Sequence, residues 1–275
     1  MVNQDSIHLP WRYQDIDFSQ IDRSRIVDNE DLFFLLCASS FIESGSDLYT
    51  SNLVAFFDGD REVTDWLNDH WEVEELQHGR ALKAYILTVW PEFDWDAAFA
   101  RFFEEYSLCC TVEEFEKTRG LEMAARCVVE TGTATLYRAI NACSDEPVLK
   151  SLTNKIRSDE VRHYKYFFKF FKRYNLLEGH GRFTVLRTLI RRLLEIKNDD
   201  SEIAMRHVFA SVHPGALPRD PRLQAVSSRV SRLVRRNLSA DMCIKMLLKP
   251  LAIPARIQPS VQYPLEKITQ HVFFR

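Results

Sequence analysis

The chain has 275 residues, of which 46% are apolar, and a net charge of −3, so it has enough apolar side chains for a packed core and is not expected to be disordered. No charge-free stretch reaches the roughly 20 residues of a membrane span, and the N-terminus lacks the basic start and apolar run of a secretory signal. Six cysteines without a CxxC pair disfavour a disulfide framework, a zinc site and a rubredoxin-like iron site, and they predict a cytoplasmic protein.

Helical periodicity dominates the chain and glycine is scarce, at 8 residues, so we predict an all-α protein. Asp28 is the predicted cap of the first helix, and Thr111 with Glu114 has the pattern of a capping box at the start of the third. Four long helices are predicted at residues 28–57, 62–90, 111–143 and 146–175. A shorter helix is predicted between the second and third, at residues 94–106. Three C-terminal helical stretches are predicted at residues 182–198, 201–211 and 219–248.

Two helical hairpins joined by a long crossover connection are the ferritin-like arrangement of a four-helix bundle. We therefore predict an N-terminal extension at residues 1–27 and a ferritin-like bundle at residues 28–175. Residues 176–275 are predicted to add a helical extension that ends in a proline-punctuated tail.

Two copies of the pattern Glu-x-x-His lie on the second and fourth predicted helices. Glu75 and His78 form the first copy, and Glu160 and His163 form the second. This spacing places a carboxylate and an imidazole one turn apart on the same helix face. A single copy is common on surface helices. Two copies, with one further glutamate from each of two other helices, are the inward-facing ligand set of a di-iron carboxylate bundle.

The further glutamates are selected by their depth in the bundle. Glu43 lies 16 residues before the centre of the first turn and Glu75 lies 16 residues after it. Glu130 lies 14.5 residues before the centre of the second turn and Glu160 lies 15.5 after it. Equal distance from the turn means equal depth in an antiparallel hairpin. The rival Glu122 lies about seven residues deeper, or ~10 Å, which is too far for metals that sit ~3.5–4 Å apart.

Four carboxylates and two imidazoles suit two iron ions, with manganese as the alternative. Glu75 and Glu160 are predicted to bridge the metals, and a histidine is predicted to bind each metal. Asp159 and Glu74 are candidates to hold the other ring nitrogen of these histidines. The six predicted metal ligands are Glu43, Glu75, His78, Glu130, Glu160 and His163.

Two features near these ligands have two readings each. Thr133 lies one turn after Glu130, so its hydroxyl either faces the metals as a catalytic group or bonds back to its own helix. Gly45, Gly79 and Gly132 each lie within two residues of a predicted ligand. A glycine inside a helix costs about 1 kcal/mol relative to alanine, so these positions either make room for a substrate or allow close helix packing.

Three segments carry a resemblance to a known family: Trp71-x-x-Glu74-Glu75-x-x-His78-Gly79 with Leu82 and Tyr85, Glu130-x-x-Thr133, and Asp159-Glu160-x-Arg162-His163. They resemble the ligand helices of the soluble acyl-carrier-protein desaturases over roughly residues 35–175. The ligand spacing is also similar to that of aldehyde-deformylating oxygenases, di-iron N-oxygenases and rubrerythrin-like proteins. The glycine after His78 and the arginine before His163 favour the desaturases.

The resemblance implies that the six ligands bind two irons and that oxygen reacts at the reduced pair to abstract hydrogen from an unactivated carbon. It further implies a fatty acyl substrate, free or bound to acyl carrier protein, a ferredoxin-type electron donor and a homodimer. Two alternatives stay open. One is a di-iron oxygenase of the same fold that acts on an amine or aldehyde, and the other is a non-catalytic iron- or peroxide-handling protein.

The charge is distributed unevenly along the chain. Residues 1–100 carry 6 basic and 20 acidic side chains, whereas residues 176–275 carry 17 basic and 8 acidic ones. The basic residues of 176–275 form either a solvated face or a docking surface for an acidic protein partner. The aromatic and glycine patterns of RNA-binding modules are missing, so no nucleic-acid partner is predicted.

Overall fold

The structure is a computed structural model that describes residues 9–110, 115–195, 200–217, 220–254, 256, 260, 262–263 and 267. These residues are helical without any β-strand, which confirms the predicted all-α class. No helix in the described ranges is both long enough and apolar enough to cross a membrane. The α-helices of these residues are α1 Glu30–Ser44, α2 Ser46–Phe56, α3 Arg61–Trp66, α4 Glu72–Val89, α5 Trp95–Cys109, α6 Arg119–Cys143, α7 Pro147–Glu178, α8 Arg182–Glu195, α9 Asp200–Val212, α10 Pro221–Asn237 and α11 Ala240–Leu248.

The first predicted helix, 28–57, is wrong as a single helix because it breaks at Gly45 into α1 and α2. A Cβ at Gly45 would lie 3.2 Å from Cε1 of Tyr106, so the aromatic ring packs directly against the break. The predicted cap at Asp28 is also wrong. The side chain of Asn29 accepts the hydrogen bond from the backbone N–H of Leu32 and caps α1.

The second predicted helix is confirmed at both ends, but it contains a π-helical turn. The turn occupies Leu67–Trp71, between α3 and α4, and so immediately precedes the first Glu-x-x-His copy. π-Helical insertions are rare and occur frequently at functional sites, because the extra residue re-aims the side chains that follow.

The third predicted helix begins later than the sequence suggested. Residues 115–118 are not helical and the side chain of Thr118 caps α6, 3.4 Å from the backbone nitrogen of Leu121. The predicted capping box of Thr111 and Glu114 lies outside the described residues. One reason for the late start is that the backbone N–H of Glu116 donates to the side chain of Glu122 rather than to a helical carbonyl.

The other predicted helices are confirmed over their described residues, except that 219–248 is divided into α10 and α11 around Ser239. Residues 196–198 and 219 of these predictions lie outside the described residues. The start of α7 follows from its sequence. The carboxylate of Glu146 accepts from the backbone N–H groups of Val148 and Leu149, at 3.1 and 2.7 Å. Pro147 occupies the first helical position, where its missing N–H removes no hydrogen bond.

The chain forms two compact units. The first contains Met1–Glu114, Asp145–Leu152 and Asp200–Val230, and the second contains Phe115–Ser144, Thr153–Asp199 and Ser231–Arg275. The sequence-based division into 1–27, 28–175 and 176–275 stays a prediction.

Each unit is organised around one buried helix. In the first unit α1 packs against α4 and α9, and α5 packs against α9. Residues 32–41 of α1 are all buried, so this helix has no solvated face and is central to its unit. In the second unit α6 packs against α8 and α11.

The described part of the N-terminal extension, residues 9–27, runs along α4 as a series of short 3-10 turns. Near one end of α4, the guanidinium of Arg23 donates to the carbonyl oxygen of Val89 at 3.1 Å. The indole N–H of Trp90 donates to the carbonyl oxygen of Val27 at 3.0 Å. These hydrogen bonds therefore hold residues 9–27 against the helix that carries the first Glu-x-x-His copy.

Candidate metal centre

The first unit contains one half of the predicted ligand set. Glu43 near the end of α1 and Glu75 and His78 on α4 are all buried. Their potential ligand atoms lie within 4.8 Å of one another. Nδ1 of His78 lies 3.5 Å from Oε2 of Glu43. The structure therefore brings the three predicted residues of this unit into one cluster, which we call the first triad.

A close approach of α1 and α4 positions the first triad. An added Cβ at Gly79 would lie 2.4 Å from Oγ of Ser44 and 2.8 Å from its backbone nitrogen. No side chain fits at such distances, so Gly79 serves helix packing. Ser44 and Gly79 directly follow Glu43 and His78 in the sequence, and the contact therefore sets how closely the carboxylate of α1 approaches the imidazole of α4.

The N-terminal segment covers His78, which the sequence did not predict. The ring of Trp11 is stacked on that of His78, with centroids 6.1 Å apart and an interplanar angle of 7°. The side-chain amide of Gln77 donates to the carbonyl oxygen of Trp11 at 3.0 Å and accepts from the backbone N–H of Tyr13 at 3.3 Å. No periodic pattern in the sequence indicates this contact.

The second unit contains the other half of the predicted ligand set. Glu130 on α6 and Glu160 and His163 on α7 are buried, and their potential ligand atoms lie within 4.8 Å of one another. Nδ1 of His163 lies 3.5 Å from Oε2 of Glu130 and 3.9 Å from Oε2 of Glu160. We call this cluster the second triad. It repeats the composition of the first and the same separation between histidine and glutamate.

The hydroxyl of Thr133 is directed at the second triad. It donates to Oε2 of Glu160 at 2.6 Å, and its distances to the carbonyl oxygens of Val129 and Glu130 are longer, 3.4 and 3.3 Å. A hydroxyl has a single proton to donate. The shortest contact assigns that proton to Glu160, so Thr133 is placed to orient one of the predicted ligands.

The rival glutamate of α6 has a different role. The carboxylate of Glu122 accepts from the backbone N–H of Glu116 at 2.8 Å and lies 2.9 Å from Nε of Arg126. The guanidinium of Arg192 on α8 lies 3.7 Å from the same carboxylate. Glu122 is therefore part of a buried charge network that joins α6 to α8, and Glu130 is the glutamate that accompanies Glu160.

The electrostatics of the second triad favour a cation. Burial is the main cause that raises the pKa of Glu130, a hydrogen bond with His163 opposes it, the nearby Glu160 carboxylate adds to it, and the net pKa is about 8. The adjacent Asp159, a predicted partner of a ligand histidine, is buried and pairs with Arg162 at 2.7 Å. A carboxyl group with so high a pKa is protonated at neutral pH unless a nearby positive charge stabilises its anion.

The spacing within each triad fits donor atoms that share one ion. Two bonds of about 2.1 Å place their donor atoms about 3.0 Å apart when they meet at a right angle and about 3.5 Å apart when they meet at a tetrahedral angle. The distance between histidine nitrogen and glutamate oxygen is 3.5 Å in both triads. Each triad is therefore a group of buried acidic and histidine side chains that could hold a metal ion.

The third predicted glycine differs from Gly79. At Gly132, no described atom outside the adjoining residues and the backbone of its own helix lies within 4 Å of the position that a Cβ would take. Gly132 and Thr133 are only half-buried, whereas Glu130 is buried. Of the two readings, helix packing therefore holds for Gly79, and Gly132 borders open space beside the second triad.

No protein-family model matches the chain, and a search of curated proteins finds no significant match. The chemistry of the two triads is therefore the basis for a functional assignment.

Proposed function

We propose that the two triads combine into a single di-iron centre and that the protein is an oxygen-activating oxidase of the ferritin-like four-helix type. The observation that carries the proposal is the repeated buried set of two glutamates and one histidine, with the same 3.5 Å histidine-to-glutamate distance in each. The bundle would consist of α1, α4, α6 and α7, which carry the six ligands. Their matched depth in the two predicted hairpins supports the combination.

Charge and donor type both support two divalent iron ions. Four carboxylates and two ferrous ions have no net charge together, whereas four buried carboxylates without cations are strongly unfavourable. Carboxylate oxygens with imidazole nitrogens suit iron and manganese, and the absence of thiolates in the set disfavours soft metals. Glu43, Glu75 and His78 of the first triad and Glu130, Glu160 and His163 of the second would hold the two ions.

When bound, two ferrous ions would supply the reaction with oxygen and an oxidant strong enough to remove hydrogen from an unactivated carbon. The chain's own residues would prepare the site for this reaction. The burial of all six ligands excludes water, which strengthens electrostatic interactions inside the site. Thr133 holds Oε2 of Glu160 by a short hydrogen bond, and Trp11 covers the imidazole of His78.

A fatty acyl chain, free or bound to acyl carrier protein, is the proposed substrate. The resemblance to the desaturases supports it, as does the open space at Gly132 beside the second triad. A ferredoxin-type electron donor, a homodimer and a cytoplasmic location belong to the same proposal. Acyl, amine and aldehyde substrates share the oxygen chemistry, so a screen of all three classes decides among them.

The first test is the metal content of protein produced in iron-supplemented medium. The wild-type protein is expected to contain about two irons per chain and to change its absorption when the reduced protein meets oxygen. The double variant Glu75→Ala/Glu160→Ala is expected to lose both irons, because it removes one candidate ligand carboxylate from each triad.

The matched control replaces residues of the same types on or next to α4 that lie outside the triads. Glu72 lies one turn before Glu75, and His70 is exposed on the π-helical turn. Glu72→Ala/His70→Ala is therefore expected to keep both irons. A folded wild-type protein that binds no iron or manganese would overturn the proposal.

A further inference from the structure

Three large apolar side chains are exposed on either side of the turn that joins α7 to α8 in the second unit. Leu176 and Leu177 on the last turn of α7 are 85% and 81% exposed, and Phe183 on the first turn of α8 is 81% exposed. The turn at 179–181 joins these two helices. We call this surface, residues 176–183, the apolar corner. Side chains so exposed make almost no contribution to the core, and a cluster of them usually marks an interaction site.

The apolar corner is held rigidly by hydrogen bonds to the start of α6. The carboxylate of Glu178 accepts from the backbone N–H of Gly120 at 2.9 Å and from the hydroxyl of Thr118 at 2.7 Å. Nε2 of His180 lies 2.8 Å from the same hydroxyl. Gly179 has φ of +71°, which a glycine adopts without strain. The apolar side chains are therefore presented on a fixed turn.

A set of basic residues lies one helical turn behind the apolar side chains. Lys172 and Arg173 precede Leu176 and Leu177 by about one turn on α7, and Arg187 follows Phe183 by four residues on α8. Between residues 172 and 187 the only acidic side chain in the sequence is Glu178, and its carboxylate is directed inward to α6. The ammonium of Lys172 packs on the ring of Phe168, at 5.0 Å from its centroid, so on α7 this charge lies at least one helical turn behind the apolar side chains. We call Lys172, Arg173 and Arg187 the basic ring.

We propose that the apolar corner inserts into the surface of an anionic phospholipid bilayer. Leu176, Leu177 and Phe183 would enter the boundary between headgroups and acyl chains, and the basic ring would lie at the level of the lipid phosphates. This inference rests on the order of the apolar side chains and the basic residues behind them. An apolar tip backed by positive charge matches the depth profile of an anionic membrane surface, in which the acyl region lies beneath a negative headgroup layer.

The charge pattern disfavours a second copy of the chain as the occupant. A twofold interface brings a patch against itself, and here it would place two basic rings next to each other. The inference concerns the second unit alone and does not depend on the proposed iron centre. A protein without iron but with membrane binding would leave it intact.

The test measures co-sedimentation of the purified full-length protein with vesicles. Wild-type protein is expected to bind vesicles of phosphatidylcholine mixed with phosphatidylserine and to bind pure phosphatidylcholine much more weakly. The triple variant Leu176→Ser/Leu177→Ser/Phe183→Ser is expected to lose at least about tenfold in partitioning, since each side chain buries several methylene groups. Its circular dichroism melting curve checks that the fold is unchanged.

A matched control removes equally exposed leucines elsewhere. Leu108 and Leu217 are 78% and 73% exposed and belong to the first unit. Leu108→Ser/Leu217→Ser is therefore expected to bind vesicles as the wild type does.

A second variant tests the basic ring. Lys172→Glu/Arg187→Glu is expected to reduce binding to the anionic vesicles by about tenfold or more and to weaken the salt dependence of that binding. Three results would overturn the proposal. The first is a wild-type protein that binds neither kind of vesicle, and the second is a triple variant that binds as well as the wild type. The third is a wild-type protein that binds no vesicles but forms a dimer, with the triple substitution converting that dimer to monomer.

Discussion

Gly79 on α4 and Ser44 on α1 approach each other so closely that a Cβ on the glycine would lie 2.4 Å from the serine hydroxyl oxygen. Each residue directly follows a member of the first triad, Ser44 after Glu43 and Gly79 after His78. The distance between the two helices and the geometry of the candidate ligands are therefore set by the same contact.

Alanine substitutions at two glycines are expected to have opposite effects. Gly79→Ala would destabilise the protein by about 1–3 kcal/mol, because the backbone of Ser44 would have to move, and it would weaken iron binding by displacing Glu43. Gly132→Ala would stabilise the protein by up to about 1 kcal/mol, because its Cβ meets no described atom. Urea unfolding and iron content measure both effects. Equal stability changes in the two variants would contradict this account.

The contact between Trp11 and His78 predicts a role for the N-terminal segment in metal binding. Residues that hold a ligand histidine typically change metal affinity 10–100-fold when they are mutated. Trp11→Ala is therefore expected to lower iron affinity by about tenfold, measured by competition with a chromophoric chelator. Trp11→Phe keeps a stacked ring and should retain most of the affinity. The neighbouring Arg12 is exposed, so an Arg12→Ala variant that weakened binding equally would argue against stacking as the cause.

The candidate ligands could be predicted from the sequence because they depend on local spacing. A Glu-x-x-His pair is fixed by the helix repeat, and the choice of Glu130 over Glu122 needed only the distance from a turn. The contact of Trp11 with His78 joins residues 67 positions apart through a segment with no regular secondary structure pattern, so no periodicity could indicate it. The helix break at Gly45 coincides with packing against Tyr106 of α5, which local propensity does not encode. No sequence pattern marks the π-helical turn at Leu67–Trp71.

The hydrogen bond from Thr133 to Glu160 is expected to affect the reaction with oxygen more than metal loading. Thr133→Val removes the donor at nearly constant volume, so it should keep both irons but slow the absorption change on oxygen exposure by about tenfold. Thr133→Ser retains a hydroxyl and should react at close to the wild-type rate. Thr131 on the same helix donates to the carbonyl oxygen of Cys127. Thr131→Val is thus the control, and a slowing equal to that of Thr133→Val would count against the assignment.

An ion pair in the first unit predicts a pH-dependent contribution to stability. The guanidinium of Arg206 and the ring of His207 on α9 contact both oxygens of Glu105 on α5, at 2.7–2.8 Å. Hydrogen bonds from Arg206 lower the pKa of Glu105 from 4.5 to about 2. The stabilisation is therefore fully present above about pH 4.5 and is lost as the pH falls through 2.

Glu105→Gln measures that contribution. Because the carboxylate is partly exposed, the loss of stability at pH 7 should be no more than about 1 kcal/mol. The difference from the wild type should shrink below pH 4.5, as chemical denaturation at several pH values would show. Glu104→Gln, at the adjacent position of α5, is the control. A difference between wild type and Glu105→Gln that grew towards low pH would contradict the assigned direction of the pKa shift.

Substitutions of Glu130 and Glu122, the two glutamates of α6, distinguish a metal ligand from a residue of a structural ion pair. Burial already raises the pKa of Glu130 to about 8, so a neutral amide replaces a carboxyl that the metal-free protein largely keeps protonated at pH 7. Glu130→Gln should therefore leave the stability of metal-free protein unchanged and lose iron. Glu122→Gln leaves Arg126 buried without its carboxylate and should cost about 3 kcal/mol, while both irons remain. Iron content and urea unfolding of metal-free protein test both. The reverse pattern would mean that Glu122 is the ligand and that depth in the hairpin does not select the site.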